Sequence, residues 1–406
     1  MRIVPLLAPR GPSLSLNFLS GTLDGRVSFS RSSNAWYFNS SGLLTQASSN
    51  APRFDYNPST LALNGLLIEG QSTNLQIYSE NAFSGANWTT INATAVDSAV
   101  TSPDGTTNAS SLTDNSTSGV HYTNPSGQQS FTNGSTYTWS VFAKAGTATV
   151  IQLATTAVVS SAYVNFNLSN GTVSSSGGSI TSSGIQAVGN GWYRCWFTVS
   201  NGGTTGLQSN YFLILLTNNN GSATREPSYV GSGETAYIYG AQIEQASFAS
   251  SYIPTTSATV TRAADAVTVP LTGINTAQGT LFYKFIPEEV GTGGLLDMYQ
   301  DSSNKWSDRL NNTNLYQVAG STVYGASAAS LVANDLTRDA FSWAPNNFDF
   351  ARNGTLSTHG SSGGTFSGPA TLYLGAYDTS SYGNLWLQSV KYWTRKLPGS
   401  QIAGLN

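Results

Sequence analysis

Tyr137-Thr138-Trp139-Ser140-Val141 places a large apolar side chain on every second position. On an extended backbone successive side chains point to opposite sides, so this run reads as a β-strand with one apolar face. The same period recurs in Val164-Asn165-Phe166-Asn167-Leu168, at Leu281, Tyr283 and Phe285, and from Leu385 to Trp393. Asn170-Gly171, Asn190-Gly191 and Asn353-Gly354 punctuate these runs with the residue pair that best tolerates the positive φ of tight hairpin turns. No segment shows an apolar 3.6 period over ten or more residues. The chain therefore reads as all-β: an irregular N-terminal region followed by two β-sandwich (jelly-roll) domains. The boundaries are 1–80, 81–262 and 263–406, with the Thr255–Arg262 stretch as an extended linker.

Composition supports this reading. Only 9% of the 406 residues are charged, against roughly 25% in ordinary globular proteins, so Ser, Thr, Asn, Gln and Gly must cover the surface. Long solvent-facing helices are disfavoured by that scarcity. The 17 Lys and Arg are dispersed and the net charge is −3, so no basic stripe exists for nucleic acid or for an anionic membrane surface. The longest apolar stretch, Tyr211 to Leu216, is far too short to span a bilayer. The first residues lack the apolar core of a secretion signal, so folding in a cytosol is expected. Cys195 is the single cysteine. Inside Trp192-Tyr193-Arg194-Cys195-Trp196-Phe197 it reads as a buried small hydrophobe rather than a catalytic thiol.

A resemblance covers most of the chain. Residues 27–45, Val-Ser-Phe-Ser-Arg-Ser-Ser-Asn-Ala-Trp-Tyr-Phe-Asn-Ser-Ser-Gly-Leu-Leu-Thr, are followed by Ala51-Pro-Arg-Phe-Asp-Tyr-Asn-Pro58 and Asn64-Gly-Leu-Leu-Ile-Glu-Gly-Gln-Ser-Thr-Asn-Leu75. This resembles a recurrent block of tailed-bacteriophage virion proteins, namely tail fibres, tailspike-like proteins and head appendages. In that family a carbohydrate-binding-module-like jelly roll follows. Gly240-Ala-Gln-Ile-Glu244, Ser251-Tyr-Ile-Pro-Thr255 and Thr261-Arg-Ala-Ala-Asp265 look like its close. The region after 278 resembles a concanavalin A-like (laminin G-like) sandwich. Where the family block commonly has a basic residue this chain has Ser72, which puts any ion pair made there in relatives in doubt.

The resemblance implies a structural protein of a phage particle, a tail fibre or a head or tail appendage, located in the virion and assembled in the host bacterial cytoplasm. Residues 1–80 would dock to other virion proteins (head, portal or tail). A homotrimer is implied. The sandwiches would adhere to host surface polysaccharide, with neither nucleic-acid binding nor membrane insertion. Capsid decoration or cementing is one alternative, and a polysaccharide depolymerase is a second.

Sugar rings stack their C–H faces on aromatic side chains. The candidates for this are Trp88, Tyr122, Tyr229, Trp306, Tyr316 and Tyr377, whereas Trp139, Trp192, Trp196 and Trp393 read as core. Trp36, Tyr37, Phe54, Tyr56 and Leu67, in a region with few clear strands, read as assembly contacts. Glycoside hydrolysis needs two facing carboxylates. Glu288 and Glu289 are adjacent and strand-proximal, so they are expected to point apart, and no other pair stands out. No catalytic residue is assigned, and the chain is read as not an enzyme. With only His121 and His359, no His-rich zinc site can form. A structural calcium held near Ser102–Thr106 or Asp297 and Asp301 is the one metal expectation, weighed against Pro-Asp-Gly as a plain turn.

Overall fold

The computed structural model describes residues 11–155, 161–203, 205–272, 276–291, 293–311, 313–318, 321–327, 330–357, 365, 370–377 and 381–406. The architecture is all-β; among the described residues the helical elements are a 3-10 turn, Phe18–Ser20, and a short α-helix, Gly399–Ala403. Asn190 and Gly191 have φ of 52° and 77°, and Asn353 and Gly354 of 49° and 83°, so both pairs make the expected turns. At Asn170-Gly171 only the glycine is left-handed, with φ 68°.

Two six-stranded antiparallel sheets form the jelly roll. One runs Ile180–Ala187, Trp192–Ser200, Thr136–Ala145, Thr235–Glu244, Ala109–Asp114, Ala93–Val100. The other runs Thr172–Gly177, Tyr163–Asn167, Val150–Ala154, Leu213–Leu216, Tyr122–Pro125, Trp88–Ile91. Between them lies a core that includes Trp139, Val141, Phe166, Cys195, Phe197 and Ile238. Strand Thr136–Ala145 departs from the half-buried reading, because its second face is covered too. Phe142 on that face packs with Leu44, Trp192, Tyr239 and Tyr252, and with half-buried Trp36 and Phe38 from the N-terminal hairpin. The polar positions stay satisfied, with Thr138 Oγ1 2.8 Å from Thr198 Oγ1.

The second sandwich packs an eight-stranded sheet on a nine-stranded one. Its core holds Leu281, Tyr283, Trp306, Phe341, Trp343, Leu372 and Tyr392, and also Leu14, Leu16, Phe18, Leu66 and Ile68. This corrects the separate N-terminal docking region. Strand Leu385–Trp393 pairs along one edge with Gly279–Pro287. Its other edge is shared by Leu14–Asn17 and Leu63–Ile68. Arg53–Tyr56 extends that sheet and Ser28–Ser30 caps the opposite one. The unpaired backbone of the last strand and the apolar faces of Leu14, Leu16, Leu66 and Ile68 explain why residues 14–68 belong here. The jelly roll is thus threaded between the first and the remaining strands of the second sandwich.

That threading is fastened by a buried ionic network. Asp265 takes Arg31 Nη1 at 2.9 Å and Arg53 Nη2 at 2.6 Å, Glu69 takes Arg53 Nη1 at 2.6 Å, and Arg262 Nη2 lies 3.3 Å from Glu69. Ser251, at the end of the jelly roll, donates to Glu69 through its N–H at 2.8 Å and its hydroxyl at 2.6 Å. The Ser72 hydroxyl donates to Glu244 Oε1 at 2.6 Å.

Candidate functional site

A groove of about 850 Å³ opens where the two sandwiches and residues 37–64 meet. Six half-buried aromatic side chains line it: Tyr37, Phe38, Tyr56, Trp196, Phe248 and Trp386. Tyr37 stands on the hairpin of Ala35–Phe38 and Leu44–Ala47, and Tyr56 ends strand Arg53–Tyr56. Trp196 faces Gly184 across neighbouring strands. A Cβ at 184 would sit 2.1 Å from the Trp196 ring, so the missing side chain is what lets the indole lie flat over the adjacent strand. Trp386 is fixed by its Nε1, which donates to Asp55 Oδ2 at 2.8 Å.

Three carboxyl groups share this wall. Asp55 also accepts from the Phe38 N–H at 2.8 Å and Asn64 Nδ2 at 3.3 Å. Burial outweighs these bonds and pushes its pKa up to about 6. Glu288 and Glu289 follow strand Gly279–Pro287, and both line the groove with different neighbours. Glu289 accepts from Asn384 Nδ2 at 2.6 Å and Ser247 Oγ at 3.0 Å, and burial raises it. Glu288 is raised well above the usual carboxylate range by burial and then by the charge of Glu69, and its Oε2 is buried with no hydrogen-bond partner. A carboxyl held protonated donates as well as accepts, matching the dual nature of a hydroxyl. Arg194, also on the wall, donates through Nη2 to Ser140 Oγ at 3.2 Å and sits 5.5 Å over the Phe142 ring. The wall thus sets aromatic ring faces beside carboxyl groups.

The residues anticipated from sequence fall elsewhere, with three exceptions. Trp88 is core, 4.5 Å from the Phe83 ring, its indole N–H donating to the Tyr78 carbonyl at 3.0 Å. Trp306 is core, stacked on Phe341 at 4.9 Å. Both sit on the inward side of their strands, so neither is an exposed platform. Tyr229 packs on His121 at 4.4 Å and donates to Asp114 Oδ2 at 3.0 Å. Tyr122 borders a separate pocket of about 410 Å³ with Asn92, Arg225 and Glu226. Tyr316 lies opposite Trp306 in strand Thr313–Val318, and its side chain is outside the described residues. Tyr377 meets Lys305 and Arg309. Of the assembly set, Trp36 packs edge-on against Tyr252 at 6.3 Å and Phe54 packs on the second sandwich's core, both within the same chain. Tyr37, Tyr56 and Leu67 line the groove instead. Sequence reading missed Trp196, Phe248 and Trp386. Gly184 was the available signal for Trp196.

Asp104 accepts from the Ser102 and Thr106 hydroxyls and the Thr106 N–H, closing its own turn. Asp301 does the same at the Ser303–Asn304 hairpin. Among the described residues no group of three or more His, Cys, Asp or Glu could hold a metal ion, and no helix is long and apolar enough to cross a membrane. His359 lies outside the described residues.

No protein-family model matches the chain, and no curated protein matches it. Solved structures match it in part. A heptameric SAP-like pentraxin from Limulus polyphemus is 15% identical over 32% of this chain and 70% of its own, with a TM-score of 0.26. Domain 4 of the arabinanase AbnA from Geobacillus stearothermophilus, in complex with arabinotriose, is 14% identical over 38% and 79%, with a TM-score of 0.29. Trypanosoma rangeli sialidase is 15% identical over 31% of this chain, with a TM-score of 0.25, and the match spans only 22% of the sialidase. The expectation that the chain is not an enzyme is corrected by this finding, since a sialidase and a domain of an arabinanase stand among the matches.

Proposed function

We propose that this chain binds glycans in the inter-sandwich groove. The observation that carries the reading is the convergence there of Tyr37, Tyr56, Trp196, Phe248 and Trp386 with Asp55, Glu288 and Glu289. Half-buried rings offer stacking faces at no cost in side-chain ordering, because packing already holds them. The resemblance of residues 27–75 to the block of phage virion proteins supports a particle-borne adhesin, presented in the virion as a homotrimer. Multiple copies would then convert weak stacking into avidity. A glycan array probed with the purified chain tests the reading. Binding that disappears in Trp386→Ala supports it, and an array blank at high protein density overturns it. Light scattering of the same sample reads the trimer.

A further inference from the structure

Away from the groove, the outward face of the nine-stranded sheet holds two cations that share one tyrosine ring. Along strand Asn304–Arg309, Trp306 and Asp308 point into the sandwich, and the two-residue period puts Lys305, Ser307 and Arg309 on the other side. Lys305 Nζ is 4.8 Å from the Tyr377 ring centroid and 3.3 Å from its hydroxyl. Arg309 Cζ lies 3.6 Å over the same ring. Among the described residues neither cation makes an ion pair. Arg309 Nε is buried with no hydrogen-bond partner, and Lys305 is 7% exposed. Covering a cation is costly unless something compensates it, and two cations on one ring also repel each other. Among the described residues, Asp297 lies on this face opposite Ser307, from which it accepts at 2.9 Å, and Asp301 closes its hairpin. Tyr299, the register partner of Lys305, meets Tyr373 edge-on at 5.9 Å beside the pair.

We infer that Lys305, Arg309 and Tyr377 form an anion site that takes the acidic group, carboxylate or sulfate, of a charged saccharide. The planar guanidinium suits a two-oxygen acceptor and the ammonium adds a second contact, while Tyr299 and Tyr373 offer ring faces to the neighbouring sugar. A nucleic acid needs a track of cations. Here there are two, on a chain of net charge −3, which fits one isolated acidic group. This inference does not depend on the groove.

Calorimetric titration of the full chain with hexagalacturonate, a heparin hexasaccharide and neutral maltohexaose tests it, at low and at physiological salt. The expected result is tighter binding of an acidic probe than of maltohexaose, weakened by salt. Hexagalacturonate carries carboxylates alone and heparin carries both groups, so binding of hexagalacturonate assigns carboxylate and binding of heparin alone assigns sulfate. Arg309→Gln and Lys305→Gln should each weaken that binding about tenfold or more with thermal unfolding unchanged, and the groove variant Trp386→Ala should leave it intact. If Arg309→Gln fails to fold, Lys305→Gln carries the comparison. Acidic probes bound no better than maltohexaose, folded variants binding like the parent, or a DNA oligonucleotide binding as tightly as the best saccharide would each overturn the site.

Discussion

Arg53 and Asp265, 212 positions apart in sequence, share a 2.6 Å bond between fully buried side chains. Asp265 also accepts from Arg31 and from the Glu69 N–H at 3.0 Å. Removing this one carboxylate leaves the buried Arg31 guanidinium without a carboxylate and Arg53 with Glu69 alone. Asp265→Ala should therefore destabilise the protein by about 3–5 kcal/mol, read as a lower urea midpoint. A change below 1 kcal/mol, roughly the value of a surface pair, would show that the network is not structural.

Asp55 gives the stability a pH dependence of identifiable sign. Its carboxyl titrates at about 6 when folded against 3.8 as the ordinary value. The folded state thus retains a proton that the unfolded chain releases. The associated stability is fully present below pH 3.8 and is lost as pH rises through about 6, a change of about 3 kcal/mol at 1.36 kcal/mol per unit. Glu69, lowered to about 2 from 4.5 by Arg262 and Arg53 against the effect of burial, acts oppositely, its stability being lost as pH falls through about 2. In Asp55→Asn the decline between pH 4 and 6 should flatten in denaturation curves. An unchanged slope would remove Asp55 as its cause.

Period-two alternation and the Asn-Gly turns made the all-β class readable, because both are local. The partners of the N-terminal strands were not readable. Leu63–Ile68 pairs with Leu385–Leu387, more than 300 residues away, and no local signal encodes such a pairing. Charge scarcity led to the view that little chemistry was available. Yet Arg31, Arg53, Glu69, Arg262 and Asp265 converge on one buried network, although they are spread over more than 230 positions of the sequence. The groove was missed for a related reason. Trp196 was read as core, but it lies on the strand face opposite core residues Cys195 and Phe197, where its hairpin partner Gly184 leaves room for the ring.

That pairing makes a test of the groove that touches no ligand atom. In Gly184→Ala the new Cβ would meet the Trp196 ring at 2.1 Å, so the indole must leave its flat position. Glycan binding should fall about tenfold, the order expected for losing one aromatic contact of 0.5–1.5 kcal/mol together with its ordered wall. Trp196 fluorescence should shift while the urea midpoint moves little. Retained affinity with a shifted indole would place the binding surface elsewhere.

Trp88 and Trp306 should behave as core residues do. Each is buried against a phenylalanine, Trp88 tilted on Phe83 and Trp306 stacked on Phe341. Truncation to alanine leaves a cavity in a close-packed interior and an unfilled stacking face, at a cost of about 3–5 kcal/mol. Trp88→Ala also leaves the Tyr78 carbonyl without its indole donor. Both variants should therefore lower the unfolding temperature by several degrees while glycan affinity, measured below that temperature, stays within twofold of the parent. A loss of binding with full thermal stability would restore either tryptophan as a ligand platform.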